Sequence, residues 1–145
     1  MKRFCYFSMI CFAAVLAAIG CCNCRAKSRA AVALTGNTWQ LVKLMGADVT
    51  PEGDSYTLSF NDEGRFAGVG ACNRLMGGYE AAADGKLVIE YPASTRMMCP
   101  DVEREDLYFQ VVSEAEAYEI DGETLMLLHD GEVRAVFALT KTDNE

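Results

Sequence analysis

Histidine is nearly missing from this chain: 145 residues hold one, His129. A side-chain nucleophile needs a base beside it, so this scarcity leaves the cysteines without the usual partner. His129 precedes Asp130-Gly131 between two apolar runs, the pattern of an exposed hairpin tip. No residue is therefore assigned as catalytic. Acidic residues are absent from the first 47 positions, and all 21 lie beyond them. Five of the 13 basic residues precede Leu34, which leaves eight against 21 acids and a net charge of −13 for residues 34–145. Phosphate binding needs a basic face, so nucleic acid is not a partner. The acidity reads as a soluble, self-repelling surface, with contact to a basic partner as the alternative. Internal repeats and low-complexity tracts are also lacking. One domain of about 100 residues buries a workable core.

The N-terminus has a character of its own. Met1-Lys2-Arg3 is basic, and residues 4–20 are uncharged and rich in Phe, Ile, Ala, Val and Leu. A basic start, an apolar stretch and a small residue before a cut make a secretory signal peptide. Ala18-Ile19-Gly20-Cys21 resembles a bacterial lipobox, in which the cysteine thiol is acylated before cleavage. The expectation is a signal peptide over 1–20, a basic tether over 21–33 acylated at Cys21, and a folded domain over 34–145. An uncleaved anchor helix is the alternative, since a span needs roughly 20 apolar residues. Arg25, Lys27 and Arg29 would lie against lipid headgroups. Cys5 and Cys11 leave with the signal. Cys21-Cys22-Asn23-Cys24 holds a Cys-x-x-Cys spacing but has no second cluster and no His partner, so no metal is assigned.

From Thr38 onward the chain reads as strands. Thr38–Leu44 and Tyr56–Phe60 alternate apolar with polar residues. Gly46–Asp54 reads as a loop, and Asn61-Asp62-Glu63-Gly64 as the turn into Arg65–Val69. Asp-Gly pairs at 84–85, 121–122 and 130–131 mark hairpins joining strands at 79–81, 87–89, 118–120, 125–128 and 133–139. Short strands at regular spacing indicate an antiparallel sandwich or barrel. One segment departs from this. Asp101 is placed to cap a helix over 101–115, whose apolar face is expected from Leu107, Phe109, Val111 and Val112. Glu103-Arg104-Glu105-Asp106 and Glu114-Ala115-Glu116 read as its solvated surface.

With these elements placed, the chain resembles the META domain family, which includes HslJ-type bacterial lipoproteins. The matching stretches are Leu34-Thr35-Gly36-Asn37-Thr38-Trp39-Gln40-Leu41, Leu58-Ser59-Phe60 with Gly64-Arg65-Phe66-Ala67-Gly68, and Cys72-Asn73-Arg74-Leu75-Met76-Gly77-Gly78-Tyr79. Thr95-Arg96-Met97-Met98-Cys99, the acidic helix and Leu125-Met126-Leu127 follow in order. Ala71 and Met98 depart from the glycine and alanine usual at those positions. The resemblance implies a mainly β (α+β) fold: a compact, curved, antiparallel barrel-like sheet with one packed helix. It also implies an envelope location and a link to stress or drug tolerance. It carries over no catalytic residue and no cofactor.

Cys72 and Cys99 are the two cysteines of this domain. In an oxidising compartment they are candidates for a disulfide, against two buried free thiols. Asn73 reads as a turn residue bonded to its own backbone, or as a ligand contact. Arg74 and Arg96 each stand beside one cysteine and form either one small anion site with Asn73 or two ordinary ion pairs. Met76, Met97 and Met98 read as core filler rather than as ligands for Cu(I). The function expected is a non-enzymatic binding or structural module, lipid-anchored on the outer or inner membrane, in the periplasm or at the cell surface. Its partner would be an envelope protein or a small ligand. The alternatives are a small-molecule barrel, an inhibitor or chaperone-like protein, and a hydrolase.

Overall fold

Alternation of apolar and polar residues builds most of the described fold. The computed structural model describes residues 32–140. The elements in chain order are β1 (Thr38–Leu44), β2 (Ala47–Asp48), β3 (Thr57–Phe60), β4 (Arg65–Val69), β5 (Arg74–Ala81), β6 (Leu87–Ser94), α1 (Val102–Ser113), β7 (Ala117–Asp121), β8 (Thr124–His129) and β9 (Glu132–Leu139). All pairings are antiparallel, in the order β6-β5-β4-β3-β1-β9-β8-β7, with β2 folded back on β1. The sheet curls into a half-barrel. Its two end strands touch at one corner through a bridge between Lys86 and Ala117. There Leu87 N–H donates to Glu116 O (2.8 Å) and Tyr118 N–H to Gly85 O (2.7 Å).

Inward-facing residues fill the curl. β1 contributes Trp39, Leu41 and Leu44, β3 Leu58 and Phe60, β8 Leu125 and Leu127, and β9 Ala135 and Phe137. Trp39 is fully buried, and its indole N–H donates to Leu34 O at 3.1 Å, so the polar end of the ring is satisfied. Helix α1 covers the open side and adds Tyr108, Val111 and Val112 to the same core. The interior is thus filled with side chains and leaves no ligand chamber inside the sheet of the described residues.

The mainly β fold with one helix is as the sequence reads. Three local features are not. β5 begins at Arg74 and β6 runs to Ser94, well beyond the 79–81 and 87–89 stretches expected. Gly77, Gly78 and Pro92 all lie within these longer paired strands. A side chain at Gly77 would sit 2.6 Å from the Phe66 ring and 2.8 Å from Glu90 O, so glycine lets that ring cross β5. Opposite it β6 bulges at Tyr91 and Pro92, with Tyr91 at φ +47°. Proline is tolerated there because β6 is an edge strand. The short strand β2 lies inside the expected 46–54 loop.

The helix also corrects the sequence reading. It spans Val102–Ser113 and buries Glu105, Tyr108, Val111 and Val112. Leu107 is exposed and Phe109 is half-buried, so the apolar face is rotated from the one expected. Asp101 makes no side-chain capping bond. Its carboxylate accepts from the Tyr56 hydroxyl (2.9 Å) and pairs with Arg104 (2.8 Å) instead.

Candidate functional site

The most connected polar cluster lies where the β4–β5 turn meets the segment leading into α1. Gly70 N–H donates to Asn73 O at 2.8 Å, which tightens the turn. Ala71 is absent from the residues at positive φ, so this position has no need of glycine. Gly70 does, for space rather than conformation: a side chain there would lie 2.6 Å from Cγ and Oε1 of Glu105. The turn and the helix are therefore fitted to one another through a carboxylate.

Glu105 is 1% exposed. Its Oε1 accepts from the backbone N–H groups of Cys72 (2.9 Å) and Asn73 (2.8 Å). Its Oε2 accepts from Asn73 Nδ2 at 2.6 Å. Burial pushes this carboxyl up, but the Asn73 side chain and the N–H groups of Asn73, Cys72 and Ala71 outweigh it, and the net shift is below the ordinary glutamate value. Bonds to a charged acceptor are roughly twice as strong as neutral ones, which is how a carboxylate stays ionised here without a cation. Glu105 is the residue that sequence reading missed, having been placed on solvated surface. Its signal was spacing: 105, 108 and 112 fall on one helical face.

Asn73 is the second centre. Its Oδ1 accepts from Met97 N–H (2.6 Å) and the Thr95 hydroxyl (2.9 Å). Its Nδ2 donates to Glu105 and to Met97 O (3.0 Å). All four bonding positions of the amide are used. The Asn73 side chain therefore does not bond its own turn, the role expected of it, but ties the turn to the 95–99 segment. Cys72 and Cys99 complete the tie as a disulfide with Cα atoms 6.0 Å apart. Cys99 Sγ lies 3.4 Å from Glu105 Oε2.

Tyrosines brace the other side. The Tyr108 hydroxyl donates to Thr57 O at 2.8 Å, and its ring meets Tyr56 edge-on at 5.6 Å. Burial, the bond to Asp101 and the charge of Asp101 push Tyr56 up to about 12. Burial also pushes the Tyr108 hydroxyl up.

Arg96 lines a groove of about 420 Å³ together with Asn73, and Arg74 is exposed outside that lining. Neither is in an ion pair among the described residues. Met76, Met97 and Met98 are exposed rather than core filler. His129 is half-buried rather than a free turn residue, with Nδ1 2.7 Å from Glu114 O. Glu116, His129 and Asp130 bring ligand-type atoms within 4.8 Å of one another, as do Cys72, Cys99 and Glu105. In the second group the sulfurs are bonded to each other and offer no thiolate. Cys21 lies outside the described residues.

This turn-to-helix joint sits in the stretch that carries the family motif. A family model described as the META domain matches residues 32–142. The chain belongs to the META domain family. The META domain here is similar to three solved structures. The NMR structure of a protein from Burkholderia xenovorans is 22% identical with a TM-score of 0.60, covering 75% of this chain and 85% of that one. A second NMR structure is 23% identical with a TM-score of 0.60, covering 73% and 91%. The crystal structure of a DUF4847 family protein from Bacteroides vulgatus is 17% identical with a TM-score of 0.55, covering 76% and 96%. At these identities the likeness is one of fold. No curated protein matches the chain.

Proposed function

We propose that this protein is an envelope lipoprotein whose META domain is a non-enzymatic binding module acting through its surface. One observation carries this reading. The domain's most elaborate polar cluster, Glu105 with Asn73 and the disulfide, spends its bonding capacity on nearby backbone and on its own side chains. Such a cluster fixes shape and has no group left to move a proton or attack a substrate. A ligand inside the barrel is disfavoured, because Trp39, Leu58, Leu125 and Phe137 pack the space it would need. The lipid anchor rests on the lipobox-like Ala18-Ile19-Gly20-Cys21. A role in stress or drug tolerance follows the family resemblance.

Metabolic labelling with a fatty acid tests the anchor. Label should enter the wild-type chain and vanish with Cys21→Ser, which should also release the protein from the membrane fraction. Unchanged labelling and fractionation of that variant would overturn the lipoprotein reading.

A further inference from the structure

Strand β6 is an end of the sheet, and after Ser94 the chain continues extended beside β5. Thr95 N–H donates to Arg74 O (3.0 Å) and Met97 N–H to Asn73 Oδ1 (2.6 Å). Successive amides of an extended chain point to opposite sides. The main-chain groups of Ser94 and Arg96 therefore face away from β5, and those of Arg96 have no hydrogen-bond partner among the described residues. Both residues line the groove. Its far wall is the side of α1 carrying Val102, Asp106, Phe109 and Ser113, which are spaced by four, three and four residues and so form one face. Its floor includes Asn73 and Glu105, the rigid joint.

An open strand edge facing a helix across a groove is the geometry by which domains take an extended peptide as an added strand. The side chains here say what kind. Met97, Met98 and Val102 are exposed apolar residues on the groove, and Phe109 is half-buried in it. Arg96 is the one cation among the lining residues. It is unpaired among the described residues of a domain crowded with acids. Asp106 on the helix wall disfavours an acid on that side. The Tyr91–Pro92 bulge interrupts the edge upstream, so the free stretch is short.

We propose that this groove binds a short extended peptide, as an added strand along Ser94–Arg96. Its apolar side chains lie between Met97 and Phe109, and a carboxylate side chain pairs with Arg96. This rests on the reading of the domain as a surface binding module and names its class of partner.

The test uses the isotope-labelled full-length chain and a blocked six-residue peptide of alternating valine and threonine with one central glutamate. Millimolar peptide should move the amide signals of Ser94 and Arg96 downfield and shift signals along Val102–Ser113. Replacing the peptide's glutamate by lysine, or Arg96→Ala in the protein, should weaken binding by roughly threefold or more, the scale of an exposed ion pair. Shifts absent or centred elsewhere overturn the site, and equal affinity for the lysine peptide overturns the acidic partner. Peptide recovered cleaved would instead sink the non-enzymatic reading while leaving the groove standing.

Discussion

Glu105 shows how one side chain organises a site. It is a buried carboxylate held by backbone donors rather than by a cation. Changing it to glutamine keeps the volume but sets an NH₂ group against those donors or against Asn73. Glu105→Gln should cost about 1–3 kcal/mol, the penalty of unmatched buried polar groups, read as a lower urea midpoint. The pH dependence follows from the direction of its shift. Its folded value is below the unfolded one, so its stabilisation is complete above the ordinary glutamate value of 4.5 and is lost as pH falls through the depressed folded value. Acid titrations of stability should fall more steeply for wild type than for Glu105→Gln in that window; parallel curves would remove Glu105 from the account. Nothing in the composition of Glu103-Arg104-Glu105-Asp106 marks its third member for burial, because charge normally reports solvent. Only its register with Tyr108 and Val112 does. Asn73, by contrast, was legible as a residue of consequence, although its partners lie across the fold and not in its own turn.

At the scale of elements, the hairpins were legible because Asp-Gly and Asn-x-x-Gly turns force them, and the helix because strand alternation fails there. The first half of β5 and the last half of β6 were hidden by Gly77, Gly78 and Pro92, whose local preferences are overruled by packing against Phe66 and by the edge position. The disulfide joins the β4–β5 turn to the approach to α1 over a separation of 27 residues. Removing it by Cys72→Ala with Cys99→Ala should cost about 3.5 kcal/mol in the chain-entropy view. Denaturant unfolding of the oxidised and doubly substituted chains measures this. A change below about 1 kcal/mol would mean that the Asn73–Glu105 bonds hold the joint unaided.

The described residues, taken as a whole, form one curled sheet closed by one helix around a continuous apolar interior. Curvature was expected from many short strands and from the family resemblance. The closure at Lys86 and Ala117 was not, since no local residue pattern announces a single bridge. Residues 34–145 carry a net charge of −13, and compaction brings like charges together. Added sodium chloride should therefore raise the urea midpoint as it screens that repulsion. A midpoint that falls with salt would show that attractive pairs such as Lys43–Asp48 outweigh the excess.

The bond between Cys72 and Cys99 also makes a covalent ring of everything between them, and that ring contains all of β5 and β6. Tyr91 and Arg96, both exposed, lie on it. A protease that cuts the chain at either place opens the ring without dividing the molecule, and both new ends stay attached. A single nick in this exposed stretch thus frees no fragment until the sulfurs are reduced.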